Sequence, residues 1–172
     1  GGDAAVKQPW RVALSWLLAS GVAIDSPLPT VEKSDPKDLL MVSNQIKAGI
    51  NAPLTSSMGR LFDAAAAVIG VRQQVSYEAQ AAIELETLVD PCVSEHYEFT
   101  LSKSQIDPRL MIRQLAEDLL AGLLVAVDDR AIPLLRHAGL LGQYHVAREN
   151  SRSPDPDGHI DPHQHTLHQV RW

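Results

Sequence analysis

The chain has 172 residues, of which 45% are hydrophobic and 21% charged, and it carries a net charge of −6. Its length suits one domain, or one domain with a tail, and its apolar content excludes a wholly disordered protein. The acidic balance argues against a general nucleic-acid binder, which needs surplus Lys and Arg to release counterions.

Aromatic residues make up only 5%, so the core must rest on Leu, Val, Ile and Ala, a composition that favours close-packed helices. Cys92 is the single cysteine, cannot form an internal disulfide, and fits a reducing, cytoplasmic setting. The longest stretch without a charge, residues 12–24, is too short for the ~20 apolar residues of a membrane span. The opening Gly1-Gly2-Asp3 has neither an initiator Met nor a signal segment, and it reads as the middle of a longer sequence.

In chain order, residues 9–19 read as the first helix. Pro9 suits its first position, Trp10, Ala13, Leu14, Leu17 and Leu18 fall on one face, and Gly21 terminates it. Residues 25–36, with three prolines, read as a loop. A second helix starts near Asp35 or Pro36, carries Leu39, Leu40, Val42, Ile46 and Ile50, and stops at Gly49 or Asn51. A third helix is expected over 57–69, closed by Gly70. Its run Ala64-Ala65-Ala66-Ala67 lets neighbouring backbones approach closely, which predicts burial. Ser76 is the expected N-cap of a fourth helix over 77–89, and Pro91 ends it. Residues 96–101 alternate polar and apolar and form the only expected strand. Asp107-Pro108 launches a last helix over 108–124 with Leu110, Met111, Leu115, Leu119 and Leu120 on its apolar side. Residues 131–172 hold six of the seven histidines with balanced charge, and the Ser, Pro, Asp, His and Gln of 150–172 predict disorder.

Three stretches in this order resemble the HypF family, the carbamoyltransferases of nickel–iron hydrogenase maturation. They are Gly1-Gly2-Asp3-Ala4-Ala5 followed by Gln8-Pro9-Trp10-Arg11; Asn51-Ala52-Pro53-Leu54-Thr55-Ser56-Ser57-Met58-Gly59-Arg60-Leu61-Phe62-Asp63-Ala64; and Val75-Ser76-Tyr77-Glu78-Ala79-Gln80-Ala81-Ala82-Ile83-Glu84-Leu85-Glu86. The family usually has Gly where Ala79 stands, a departure expected to tighten the local backbone. The resemblance covers residues 1–127 and sets residues 128–172 apart as a divergent His/Pro/Asp-rich tail.

The resemblance implies a mainly α chain, the helical portion of an actin-like ATPase-type (α/β) carbamoyltransferase domain. It further implies a cytoplasmic enzyme that makes a carbamoyl-adenylate from carbamoyl phosphate and ATP, then passes the carbamoyl group to the C-terminal cysteine of a HypE-like partner. Carried over by position, Ser56, Gly59, Arg60, Asp63 and Gly70 are the candidate nucleotide-binding residues. The family's metal-binding His-x-x-x-His pair and its phosphate motifs have no counterpart in this sequence, so the chain is expected to be inactive alone. Where a later family motif should follow, the sequence reads Asp128-Asp129-Arg130-Ala131.

The same residues allow plainer readings. A helix N-terminus offers free N–H groups and a positive dipole end, Gly59 leaves room for close approach, and Arg60 has the fork to meet a phosphate. Otherwise the segment is an ordinary capped helix with Arg60 and Asp63 solvated or paired. Glu78, Glu84 and Glu86 read as a solvated helix face, and Cys92 as a bystander thiol. His159, His163, His165 and His168 form at most a weak metal-binding tract. Besides the HypF reading, two alternatives stand: a small helical protein-interaction module, or metal handling through the tail. Neither nucleic acid nor membrane is an expected partner. Self-association through exposed apolar surface is.

Overall fold

A computed structural model describes residues 2–89, 96–102 and 105–123, together with the backbone of residues 166–167 and 170–171. Among the described residues seven helices dominate: α1 (Asp3–Lys7), α2 (Pro9–Ala19), α3 (Pro29–Glu32), α4 (Pro36–Ala48), α5 (Met58–Val68), α6 (Gln80–Glu86) and α7 (Arg109–Leu120). Five short strands accompany them: β1 (Leu54–Thr55), β2 (Thr100–Ser102), β3 (Gln105–Asp107), β4 (Thr166–Leu167) and β5 (Val170–Arg171).

The core is built around α5. Ala64, Ala65, Ala66, Ala67 and Val68 are all fully buried. Alanine leaves no side chain to hold a neighbour at a distance, so α2 lies along one side of α5 and α6 along another. Val12, Ala13, Trp16 and Leu17 of α2 join that core, with Met111, Ile112, Leu115 and Ala116 from α7. The opposite side of α2 forms a second cluster, in which Trp10 and Leu14 meet Leu39 and Val42 of α4. The single apolar face expected for α2 is therefore too narrow: the helix is sandwiched, and Val12, Ser15 and Trp16 are buried as well.

Helix ends follow local chemistry. Pro9 and Pro36 occupy first positions, and the Asp35 carboxylate accepts the Lys37 N–H at 2.7 Å. Helices α2 and α5 close alike. Gly21 and Gly70 take positive φ, of 76° and 91°. Val22 N–H then reaches Leu17 O, and Val71 N–H reaches Ala66 O, both at 2.9 Å. This six-residue closure uses a left-handed residue just past the last turn, where glycine meets no Cβ penalty. From α7, Arg113 Nε also donates to Ser20 O at 2.9 Å, so a distant helix caps the end of α2.

Several expectations need correction. The 25–36 loop contains α3, which starts at Pro29 and buries Thr30. The fourth helix is shorter than 77–89: α6 begins at Gln80, after Ala79 turns to φ 64°. Ser76 does not cap it. Instead its N–H donates to Gln80 Oε1 at 2.8 Å. The strand expected at 96–101 lies further on, because Tyr97 and Phe99 turn inward as irregular chain against the core. Strands β2 and β3 pair antiparallel, with Leu101 opposite Ile106. On α7 the apolar face is rotated from the expected one: Met111, Ile112, Leu115 and Ala116 are buried, whereas Leu110 and Leu120 are 40% and 44% exposed. Leu40 on α4 and Ile50, which lies beyond the end of that helix, are exposed. Four tail residues pair, β5 antiparallel with β1 and β4 parallel with β3. The rest of the 150–172 expectation, the histidine tract, Cys92 and the 128–131 segment lie outside the described residues.

Candidate functional site

The start of α5 gathers most of the sequence-predicted residues. Ser57, not Ser56, is the N-cap: its Oγ accepts the Arg60 N–H at 3.3 Å, and its own N–H donates to Thr55 Oγ1 at 3.1 Å. Ser56 and Gly59 are exposed. A Cβ at Gly59 would come no closer than 3.7 Å to its nearest neighbour, Ser57 Oγ, so nothing among the described residues demands glycine there. The start of this 11-residue helix is thereby exposed at Ser56, Ser57 and Gly59, where its positive dipole end meets solvent, while the Arg60 N–H is already taken by the Ser57 cap.

Beneath this open turn sits a buried ion pair. Arg60 Nη1 lies 2.9 Å from Asp63 Oδ2, and the two side chains are only 9% and 3% exposed. The contact is not aligned as a hydrogen bond, so Nη1 is held by charge alone. Arg60 Nη2 lies 3.8 Å from Oε1 of the exposed Glu78. The Asp63 carboxylate also accepts the Ala82 N–H. Ala82 is in the first turn of α6, whose own N-cap residue, Ala79, has no side chain to cap with. Asp63 thus caps a helix to which it does not belong, and it locks α5 to α6. Burial pushes its carboxyl above the usual carboxylate range. Arg60 and the Ala82 N–H pull it part of the way back, and Glu78 pushes it up.

Gly70 is not part of this group. It lies ten residues beyond Arg60 along the axis of α5, roughly 15 Å away at 1.5 Å per residue. Its carbonyl accepts Lys33 Nζ at 3.4 Å. Of the five candidates, then, Ser56, Gly59 and Arg60 share the N-terminal end, Asp63 points from there into α6, and Gly70 marks the far end. Sequence reasoning missed the Ala82 N–H and the position of Glu78. The spacing of Arg60 and Asp63, three apart on one helix, was the signal for their pairing.

The other acidic candidates divide. Arg72 Nε donates to Glu84 Oε2 at 2.6 Å, and Gln80 Nε2 donates to Glu84 Oε1 at 2.9 Å. Partial burial pushes the Glu84 carboxyl up, but these two bonds and the Arg72 charge outweigh it and hold the group below its usual range. Glu84 is therefore a tie between α6 and the 70–74 segment rather than a solvated side chain. Among the described residues, no three His, Cys, Asp or Glu side chains are placed to hold a metal ion. Among them, too, no helix is long and apolar enough to cross a membrane.

Comparison with known proteins agrees with this architecture. The family model described as "Carbamoyltransferase, Kae1-like Domain, second subdomain" of HypF matches residues 1–144, a span that runs past the change of composition near residue 127. The carbamoyltransferase HypF of Rhizobium leguminosarum bv. viciae is 38% identical over 118 residues, covering 67% of this chain and 15% of the relative. That of Rhodobacter capsulatus is 48% identical over 92 residues, covering 51% of this chain and 12% of the relative. A crystal structure of full-length HypF in the phosphate- and nucleotide-bound form superposes with a TM-score of 0.63 at 33% identity, over 88% of this chain and 24% of that one. The chain spans a small part of the length of these relatives, and its mostly helical build fits one portion of an α/β carbamoyltransferase domain. This chain belongs to the HypF carbamoyltransferase family, matching the second subdomain of the family's Kae1-like domain.

Proposed function

We propose that this chain forms the nucleotide-facing helical part of a cytoplasmic HypF carbamoyltransferase. In that enzyme water releases phosphate from carbamoyl phosphate to leave carbamate, carbamate attacks the α-phosphate of ATP to give a carbamoyl-adenylate and pyrophosphate, and the carbamoyl group then passes to the C-terminal cysteine thiolate of a HypE-like protein with release of AMP, where it serves hydrogenase maturation. The observation that carries this reading is the start of α5, exposed at Ser56, Ser57 and Gly59 and resting on the buried Arg60–Asp63 ion pair.

The chemistry divides between the two layers. The N–H groups of Met58 and Gly59, which the Ser57 cap leaves untouched, and the Ser56 hydroxyl suit the oxygens of a nucleotide. Gly59 leaves the surface of that turn bare, so a nucleoside can lie against the backbone. Arg60 and Asp63 hold the platform rigid from below, as preorganised binding requires. The described residues do not offer the donor set of a metal site.

The test uses the full-length Rhizobium leguminosarum enzyme with its corresponding segment replaced by residues 1–123 of this chain. Pyrophosphate release that depends on carbamoyl phosphate and ATP is the readout. Gly59→Val in the chimera is expected to raise KM for ATP with little change in KM for carbamoyl phosphate. An active chimera whose KM for ATP is unmoved by Gly59→Val and by Ser56→Ala removes the nucleotide-facing role. An isolated 172-residue chain that turns over ATP and carbamoyl phosphate by itself removes the reading of a dependent part.

A further inference from the structure

Helices α4 and α6 carry complementary exposed faces that the fold keeps apart. We propose that these faces dock copy to copy: the outer face of α4 in one molecule takes the outer face of α6 in a second copy of this chain.

The α4 face is apolar and basic. Leu39, Val42 and Ser43 turn inward, and at about 100° per residue the opposite side presents Lys37, Leu40, Met41, Asn44 and Lys47. Leu40 and Met41 are 58% and 45% exposed. The acidic residues closest in sequence are Asp35 and Asp38. The Asp35 carboxylate turns back to the Lys37 N–H as the N-cap, and Asp38 sits about 100° round the helix from Lys37. Among the described residues neither the Lys37 nor the Lys47 ammonium has an ion-pair partner.

The α6 face is apolar and acidic. Ala81 and Leu85 turn inward, which leaves Ile83 and Glu86 one turn apart on the outer side. Ile83 is 48% exposed, and Tyr77, in the turn that leads into α6, is 56% exposed. Beside Tyr77, the Glu78 side chain is 81% exposed, and its contact with Arg60 is long, at 3.8 Å, because Arg60 is committed to Asp63. Glu86 has no ion-pair partner among the described residues.

Packing order makes the contact intermolecular. Helix α4 packs on the side of α2 that faces away from α5, and α6 packs on α5. Helices α2 and α5 therefore stand between the two faces, and one molecule cannot bring them together. A second copy can. Lys37 and Lys47 bracket Leu40 and Met41 over roughly 15 Å of helix, and Glu78 and Glu86 bracket Ile83 in the same way. Exposed ion pairs contribute little each, so apolar contact supplies the affinity and charge sets the register. Glu78 lies beside Arg60, so the docked copy sits next to the start of α5, but the contact does not depend on the nucleotide-facing role proposed for that turn.

The experiment is sedimentation equilibrium of the 172-residue chain over a wide concentration range in about 0.15 M salt, where the net charge of −6 is screened beyond roughly 8 Å. The weight-average mass is expected to rise with concentration above that of the monomer. Lys37→Glu with Lys47→Glu, and Glu78→Lys with Glu86→Lys, should each weaken self-association about tenfold or more, because like charges then face each other. An equimolar mixture of the two variants should recover the wild-type strength, since each supplies the face that complements the other. Ile83→Ser leaves every charge and Arg60 untouched and should also weaken association. Each substituted side chain is exposed, so none of these changes threatens the core. The proposal is overturned by a monomer at every concentration, by variants that associate as strongly as the wild type, or by a mixture that stays as weak as its components.

Discussion

Replacing Arg60 with Met tests the buried ion pair most directly. Methionine keeps much of the aliphatic stem in place, so the main loss is the guanidinium. Asp63 would then be left with the Ala82 N–H as its remaining favourable partner in a nearly solvent-free position. Removing one member of such a pair costs about 3–5 kcal/mol, a large share of the ~5–15 kcal/mol that hold a typical domain folded. Because burial already raises the Asp63 carboxyl, losing the cation raises it further and a proton becomes an alternative partner. The penalty should therefore be full at pH 7.5 and clearly smaller at pH 5. Arg60→Met with Asp63→Asn should recover most of it, since a neutral amide oxygen still accepts the Ala82 N–H. Urea unfolding followed by circular dichroism at both pH values measures all four members of the cycle. The reasoning is refuted if the double variant is as unstable as Arg60→Met alone, or if the loss is the same at both pH values.

Three further outcomes follow from the same geometry. Ala79 sits at φ 64°, where an L-residue with a Cβ is strained, so Ala79→Gly should stabilise the chain by about 1 kcal/mol and raise Tm by roughly 2–4 °C in a thermal melt. Leu115 is 1% exposed and Leu110 40%, so Leu115→Ala should cost about 2–5 kcal/mol by denaturant titration and Leu110→Ala well under half as much. Equal losses would mean that the apolar face of α7 has been misplaced. Glu84 is held below its usual carboxylate range, so its contribution is present above that range and lost as pH falls through it toward the lowered value. Glu84→Gln should accordingly lose stability at pH 7 and show a flatter decline on acidification below about pH 4.5, where the wild-type advantage disappears.

Much of the α5 site was legible because it is local. The Ala64–Ala67 run, and Gly21 and Gly70 closing their helices, all concern residues within about two helical turns, where residue type nearly dictates geometry. The short helix α3 escaped notice because its cue, Pro29 at a first position, is confined to four residues between other prolines. The start of α6 was misread because Ser76 has the right chemistry for a cap, while Gln80 and the distant Asp63 supply the partners instead.

By itself, the sequence determined the family, the helical character and the positions of α2, α4, α5 and α7, since apolar spacing and capping residues act within a single segment. Tertiary structure alone decided which face of each helix is inside. Helix α2 is buried on two sides because both α4 and α5 pack on it, and α7 is rotated so that Ile112 is buried rather than Leu110. It also decided that Asp63 caps a neighbouring helix, and that Lys33 and Arg72 share one cleft. Burial and charge pairing between segments distant in sequence depend on where the chain returns in space, and no local pattern of residues encodes that return.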